Sequence, residues 1–387
     1  MSRVVVIGAH PKSLINFRGE LLKALVGAGH EVTAMAGTAG LDVAKQITAI
    51  GVSFRAYPVQ RNGMNPAADL QTFFALRRAL RTLKPDVVLS YTIKPVIWGG
   101  IASKGVSRIR FYALITGLGF AFDKGESFKR KMLTIVVSRL YRFSLSKVSC
   151  VIFQNPDNRD SFEQKHIIDK AKSSLVNGSG VDLAQFIATP LPSGRDVVFL
   201  TIGRLLGAKG FREYAKAAQL VKERYPGTIF RLVGPTDPSP DGISLVEVEE
   251  WQNAGVIQYL GETKDVRPFI ADCHVYVLPS YHEGMPRTVL EAMAIGRAIL
   301  TTDVPGCRET VVPEKNGFLV PKADAGALAA RMIWFIENRD KCDQMGQYSR
   351  RIAEEKFDVH RINENMLDIM GLKVSGAAQQ ASSIANQ

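Results

Sequence analysis

The stretch Pro279-Ser280-Tyr281-His282-Glu283-Gly284-Met285-Pro286-Arg287-Thr288-Val289-Leu290-Glu291-Ala292-Met293-Ala294 decides how this chain is read. It follows His274-Val275-Tyr276-Val277-Leu278, an apolar, β-branched run that reads as a buried parallel strand. Glu283-Gly284 makes a turn. Pro286 suits the first position of a helix, where a missing N–H costs nothing, and Gly296 is a natural C-terminal stop. Glu283 is therefore expected at the carboxyl end of a strand and just ahead of a helix, which is where open α/β sheets bind ligands. N–H groups of Gly284 and Met285 at that helix start favour an anionic or hydroxyl-rich ligand. Glu291 falls about two helical turns past Glu283, so both carboxylates are expected to line one side of a pocket. Taken alone, the spacing fits equally a dipole-favoured charge followed by a solvated helix residue.

Working outward, the same alternation of apolar runs and helical patterns fills the chain. Towards the C-terminus, strands are expected near 197–202, 228–233, 256–260, 298–302 and 318–320, with helices between and a helical terminus over about 338–371. Towards the N-terminus, strands are expected over 3–9, 31–36, 53–59, 86–91, 108–115 and 149–154, with helices near 16–28, 41–50, 67–83, from 95 and over 126–146. Pro190-Leu191-Pro192-Ser193-Gly194 has the texture of a linker. The pattern predicts two α/β units with parallel sheets, over 1–190 and 195–356. The Ala-, Gln- and Ser-rich end, 375–387, is expected to be disordered.

Composition narrows the chemistry. Four separated cysteines, with no C-x-x-C pair, argue against a disulfide framework or zinc site and fit a reducing compartment. No N-terminal signal is seen, and no charge-free apolar run reaches the roughly 18 residues of a membrane span. The net charge of +12 is unevenly spread: residues 1–190 carry 26 Lys and Arg against 12 Asp and Glu, whereas 191–387 carry 23 against 25. Nucleic acid, an anionic membrane surface or a phosphorylated substrate can each account for a basic half. No helix-turn-helix or RNA-binding signature is present, so no nucleic-acid partner is expected. The first loop lacks G-x-G-x-x-G, so no dinucleotide cofactor is indicated.

Ser280-x-x-Glu283-Gly284, the seven residues between the glutamates, and Leu290-Glu291-Ala292-Met293-Ala294 together resemble the E-x7-E signature of family-4 retaining glycosyltransferases. Gly203-Arg204-x4-Lys209-Gly210 resembles that family's diphosphate clamp. The resemblance runs over nearly the full length and implies the GT-B fold, two Rossmann-like domains facing a cleft, with a closing helix over 357–371 returning to the first. It implies that Glu283 lies near the donor sugar, that Glu291 holds the ribose, and that Arg204 and Lys209 stabilise the leaving diphosphate. Gly203, Gly284, Met285 and Pro286 complete the donor side. A carboxylate suits vicinal hydroxyls because it accepts two charge-assisted hydrogen bonds. No D-x-D occurs and the six histidines are scattered, so no metal is indicated.

In the first half, Gly8-Ala9-His10-Pro11-Lys12 and Thr116-Gly117-Leu118-Gly119 follow strands. By the resemblance the first of these loops faces the acceptor, through Gly8, His10 and Lys12, and the glycines of the second, Gly117 and Gly119, suggest close backbone approach to a ligand on the same acceptor side. A packed loop histidine and tight glycine turns are the plainer alternatives. Asn177-Gly178-Ser179-Gly180 reads as structural. The stretch 124–147 places Lys124, Lys129, Arg130, Lys131, Arg139 and Arg142 among apolar residues, with Glu126 as its one acidic residue. It reads as a basic amphipathic helix for an anionic membrane surface, or as a domain helix with an apolar inner face and a basic outer one. Within the family, Ile115-Thr116-Gly117-Leu118-Gly119 and Leu278-Pro279-Ser280-Tyr281 resemble bacterial members that extend polyprenyl-diphosphate-linked oligosaccharides, N-acetylgalactosaminyl transferases of glycan assembly among them. The expected reaction moves a hexose or N-acetylhexosamine from a UDP-sugar substrate to a lipid-linked sugar, on the cytoplasmic membrane face and without a cofactor. A nucleotide-sugar epimerase on the same scaffold is the rival reading.

Overall fold

The computed structural model of the chain describes residues 1–60, 65–106, 108–118, 128–194 and 196–373. Gly119, Lys124 and the tail over 375–387 lie outside this set, as do the side chains of Lys129 and Arg130. The chain divides into two units, Met1–Ser179 with the segment from Val359, and Gly180–Asp358.

The first unit is built on β1 (Arg3–Ile7), β2 (Glu31–Ala36), β3 (Ser53–Ala56), β4 (Val87–Tyr91), β5 (Arg110–Ile115), β6 (Cys150–Phe153) and β7 (Ser173–Leu175), in the spatial order β3-β2-β1-β4-β5-β6-β7. Every pairing is parallel, with Val4 beside Val32 on one flank and Val87 on the other. Runs such as Val4-Val5-Val6-Ile7 form central strands because helices cover both faces, so every side chain is buried. The helices are α1 (Pro11–Asn16), α2 (Gly19–Gly27), α3 (Leu41–Ala49), α4 (Pro66–Leu83), α5 (Ile93–Ser103), α6 (Phe128–Leu145) and α7 (Pro156–Gln164). Strand order reverses at β1/β4. Right-handed crossovers therefore put α1, α2 and α3 on one face and α4 to α7 on the other. Val4, Val6, Leu21, Leu22 and Leu25 pack on the first face, and Val5, Ile7, Leu76, Leu80, Tyr141 and Phe162 on the second.

The second unit holds β8 (Val198–Ile202), β9 (Ile229–Val233), β10 (Gln258–Tyr259), β11 (Val275–Leu278), β12 (Ala298–Thr302) and β13 (Gly317–Val320), ordered β10-β9-β8-β11-β12-β13 and all parallel. Its helices are α8 (Phe211–Arg224), α9 (Leu245–Asn253), α10 (Arg267–Ala271), α11 (Arg287–Ile295), α12 (Ala325–Glu337) and α13 (Asp340–Lys356). Here the order reverses at β8/β11. The chain then returns to the first unit as α14 (Val359–Ile369). Ile362, Met366 and Leu367 join the face of α2, Met370 O accepts from Arg110 Nη1 (3.0 Å), and His30 Nε2 bonds Leu372 O (2.8 Å).

Residues 180–194, which the sequence reading put ahead of the divide, belong to the second unit. Val181 N donates to Phe357 O (2.8 Å), and Phe186 is buried. The fully buried Arg297 donates to Thr189 O (2.8 Å), Thr189 Oγ1 (2.6 Å) and Pro190 O (3.0 Å). A buried guanidinium must find acceptors for its donors, and this segment supplies them. The helix expected over 16–28 is α2, which starts at Gly19, and a further short helix, α1, occupies Pro11–Asn16, where mostly loop was expected. β7 and α7 escaped the sequence reading. Ser173-Ser174-Leu175 has no apolar run, whereas α7 carried a usable signal in Asn155-Pro156, whose Asn caps Asn158 N (2.8 Å).

Candidate functional site

Where strand order reverses, the loops leaving two neighbouring strands diverge to opposite faces and leave a crevice at their carboxyl ends. In the second unit those loops follow β8 and β11. The first runs Gly203-Arg204-Leu205-Leu206, closes into a short 3-10 turn over Gly207–Lys209, and enters α8 through Gly210. Gly210 has φ +73, and a Cβ there would overlap the Pro279 carbonyl. Only glycine lets the two loops approach this closely. Tyr281 N donates to Ala208 O (2.9 Å) and ties them together.

Lys209 and Glu283, 74 residues apart in sequence, are joined by a salt bridge. Ser280 Oγ donates to the same Glu283 oxygen, Oε1 (2.7 Å). Both charged side chains are partly accessible. Glu283 N is held by Pro305 O (3.0 Å), so the carboxylate is fixed from both ends. Beneath it the Cys307 thiol is pushed up to about 12 by burial and by the neighbouring Glu283 charge.

Arg204, on the same loop as Lys209, pairs with Asp237. Asp237 is nearly covered while Arg204 is half exposed, so the guanidinium has a fixed anchor and an open side. Hydrogen bonds from Ser239, with Arg204 beside it, hold the Asp237 carboxyl below its ordinary range. The 235–243 loop is itself locked to the Arg204 loop. Leu205 N donates to Pro235 O (2.9 Å), Ala208 N to Asp241 Oδ2 (2.8 Å), and Ile243 N to Leu205 O (2.9 Å).

Pro286 is the N-cap of α11, one residue outside the place given to it by the sequence reading, and Val289 N donates to its carbonyl (3.1 Å). Gly296, at φ +86, ends the helix. Glu291 is 6% exposed. It is not the solvated helix residue that its spacing also allowed. Burial raises its pKa, while Arg287, one turn earlier and 2.8 Å away, opposes that rise. Met285 packs on the core beneath α11. This end of the sheet thus gathers Gly203, Arg204, Lys209, Glu283, Gly284, Met285 and Pro286, with Glu291 on the helix that follows. The sequence reading missed Ser280 as a partner of Glu283, and Asp237, which carried no local signal. A separate groove of about 420 Å³, lined by Lys222, Thr228, Gln252 and Gln258 among others, opens at the amino ends of β9 and β10, away from these residues.

The first unit has its own crevice where β1 and β4 part. The Tyr91 phenol occupies the space a Cβ on Gly8 would need, so glycine is required there. Tyr57 donates its hydroxyl to Gly8 O (2.8 Å), and Tyr91 OH meets Ser13 Oγ (2.7 Å). The buried Arg18 lies over the Tyr91 ring, 5.1 Å from its centroid, and donates to Ser179 Oγ (3.0 Å). Burial raises both tyrosine pKa values. His10 and Lys12 are exposed at the start of α1, and Gly117 follows β5 with φ +149. Thr92, directly after β4, has φ +67, a strained conformation for a β-branched residue. Tyr91 and Arg18 were not singled out in the sequence, because only the sheet brings Tyr91 to Gly8 and Arg18 lies over its ring.

On α6 the structure departs from the plainer expectation of an apolar inner face and a basic outer one. Its outward face is apolar: Met132, Ile135, Val136 and Phe143 are 45–58% exposed, with Arg139 among them. Lys131 is exposed, and Arg142 donates Nε to His166 O (2.9 Å) and Nη2 to Lys165 O (2.9 Å), capping α7. Among the described residues, no group of three or more His, Cys, Asp and Glu is placed to hold a metal ion, and no helix is long and apolar enough to cross a membrane.

Residues 16–176 match the model of the glycosyl transferase 4-like domain, and residues 185–352 that of glycosyl transferases group 1. Over 366 residues the chain is 29% identical to the N,N'-diacetylbacillosaminyl-diphospho-undecaprenol alpha-1,3-N-acetylgalactosaminyltransferase of Campylobacter jejuni, covering 89% of this chain and 94% of that protein. It is 27% identical to the UDP-Gal:alpha-D-GlcNAc-diphosphoundecaprenol alpha-1,3-galactosyltransferase of Escherichia coli, covering 74% and 76%. Neither relative is an epimerase by name. Among solved structures, sucrose-phosphate synthase from Thermosynechococcus elongatus superposes with a TM-score of 0.79 at 19% identity, over 96% of this chain and 98% of that one. With one domain model on each unit and relatives that match over most of their own length, the chain belongs to the GT-B glycosyltransferases that join a glycosyl transferase 4-like domain to a group 1 domain.

Proposed function

We propose that the chain is a retaining glycosyltransferase that moves a hexose or N-acetylhexosamine from a UDP-sugar to a polyprenyl-diphosphate-linked sugar, at the anionic inner face of the cytoplasmic membrane, in cell-surface glycan assembly. The observation that carries this reading is the joining of Lys209 to Glu283 at the β8/β11 crevice, with Arg204 on the same loop. The relatives' names, which include UDP-galactose and undecaprenyl-diphosphate-linked sugars, support the substrate classes.

In this reading the second unit takes the donor. Arg204 and Lys209 face the diphosphate, whose negative charge grows as the bond to the sugar's anomeric carbon breaks. Fixed cations there bind the transition state more tightly than the ground state and so raise the rate. Glu283 holds Lys209 in place and lies beside the sugar, and Glu291 accepts hydrogen bonds from the ribose. No side chain is assigned as a covalent nucleophile. The acceptor hydroxyl attacks from the face the diphosphate leaves, and a departing phosphate oxygen takes its proton, which retains the anomeric configuration. The first unit takes the acceptor through the loops at Gly8, His10, Lys12 and Gly117. Basic and apolar residues of α6 meet the membrane.

A donor screen tests this: nucleotide sugars are offered with membrane extract and the lipid fraction is read by mass spectrometry. A UDP-hexose or UDP-N-acetylhexosamine should add one sugar mass to a polyprenyl-diphosphate species, and NMR of the product should show the donor's anomeric configuration. An inverted product would overturn the retaining mechanism. Conversion of the donor without any lipid product would overturn the transferase reading.

A further inference from the structure

Helices α4, α5 and α6 lie side by side on one face of the first unit's sheet. Their sequences contain nine basic residues, Arg77, Arg78, Arg81, Lys94, Lys129, Arg130, Lys131, Arg139 and Arg142, and one acidic residue, Asp69. That one carboxylate is already bonded to Lys94 (2.8 Å). The helices of the opposite face are mixed in charge: Glu20 with Lys23 on α2, Asp42 with Lys45 on α3, and Arg361 with Glu364 and Asp368 on α14. The basic surplus is thus concentrated on these three neighbouring helices, whereas α7, the fourth helix of their layer, carries Asp157, Asp160 and Glu163 against Arg159.

The same layer exposes large apolar side chains on two separate helices. On α4, Thr72, Leu76, Ala79 and Leu80 face the sheet. Leu70 (53% exposed) and Phe74 (59%) project from the opposite side, where helical periodicity also brings Arg78 and Arg81. On α6, Ser138, Tyr141 and Leu145 are buried, and Met132, Ile135, Val136 and Phe143 project outward around Arg139. Lys104, at the end of α5, lies over the Phe143 ring, 3.7 Å from its centroid. A water-facing helix presents charge outward and apolar groups inward. Both outer helices break that rule, with Phe74 one turn from Arg78 and with Ile135, Val136 and Phe143 within about one turn of Arg139, the composition of a surface that enters lipid headgroups.

We propose that α4, α5 and α6 form a single docking face for an anionic bilayer, with Leu70 and Phe74 of α4 entering the lipid beside Met132, Ile135, Val136 and Phe143 of α6. This deepens the membrane-held acceptor reading above and rests on it for its purpose. Two points of insertion on neighbouring helices fix the orientation of the first unit on the membrane, which a single basic helix does not.

The test uses the full chain and phosphatidylcholine vesicles with about 30% phosphatidylglycerol, read by cosedimentation at low and at physiological salt. Leu70→Ser with Phe74→Ser should weaken binding about tenfold or more, since each side chain forfeits apolar transfer into lipid. Ile135→Ser with Val136→Ser should do the same. Both variants should keep the wild-type melting temperature and full turnover on a short water-soluble acceptor. Binding of the α4 variant at wild-type strength would overturn the proposal. So would a variant that changes self-association in analytical ultracentrifugation while binding vesicles normally, because the face would then be an interface between copies. Vesicle binding needs no sugar nucleotide. Absence of any transferase activity, with these vesicle results intact, would therefore sink the transferase reading and leave the docking face standing.

Discussion

Lowering the pH from 7 to 5 should destabilise the second unit through one buried imidazole, that of His274. The residue opens the strand that leads to Glu283 and is 1% exposed. Its own N–H donates to Val198 O (2.9 Å), and Val198 N–H donates to its Nδ1 (3.1 Å), so the ring completes the start of the β8–β11 pairing. Nε2 faces the Arg339 guanidinium at 3.0 Å. A proton on Nδ1 would break the Val198 bond and set a third cation near Arg339 and Arg297. Burial, then these two arginines, lowers the pKa from 6.5 to about 4. A histidine depressed in the folded state contributes stability that is present above the unfolded pKa and is lost as pH falls from 6.5 towards 4, because only the unfolded chain takes up the proton. Between pH 7 and 5 the loss is at most about 2 kcal/mol, and about 1 kcal/mol if water screens the ring. Urea unfolding followed by tryptophan fluorescence reads it, since Trp251 and Trp334 lie in this unit and only Trp98 in the other. His274→Asn keeps an acceptor for Val198 N but does not titrate, so its stability should fall less between pH 7 and 5 by that amount. Parallel pH profiles for wild type and variant would refute the account.

The remaining expectations concern turnover. Glu291→Ala should raise the donor KM roughly tenfold or more with little change in kcat, as charged hydrogen bonds are worth about 1.5–3 kcal/mol each; an unchanged KM would remove Glu291 from the donor site. Arg204→Ala and Lys209→Ala should each lower kcat more than they raise the donor KM, because leaving-group charge is greatest in the transition state. Activity should survive EDTA, and a reversible loss on chelation would show that these cations do not act alone. Asp237→Asn removes the charged anchor of Arg204 and should lower kcat by less than Arg204→Ala does, with the two changes non-additive when combined; additive losses in the double variant would mean that Asp237 does not act through Arg204.

Period and punctuation carried the local structure. Val4-Val5-Val6-Ile7 and Val275-Tyr276-Val277-Leu278 have to be buried on both faces, which requires parallel strands between helix layers, and Gly296 can end α11 because glycine adopts φ +86 without strain. Arg204, Lys209, Glu283 and Glu291 could be chosen from sequence because each belongs to a short motif whose residues stand close together in the chain. What the tertiary structure decided lies where contact joins distant residues. Asp237 meets Arg204 because β9 lies beside β8, Lys209 reaches Glu283 across the reversal at β8/β11, and Tyr91 fills the space over Gly8 across the reversal at β1/β4. The divide at Ser179–Gly180 was equally hidden, since a proline-rich stretch looks like a linker until a buried arginine 107 residues away claims its carbonyl. Composition showed that the first half is basic. It could not show that α4 and α6 turn Phe74 and Val136 outward, because an amphipathic pattern marks two faces of a helix and only packing against the sheet determines which one water, or lipid, will meet.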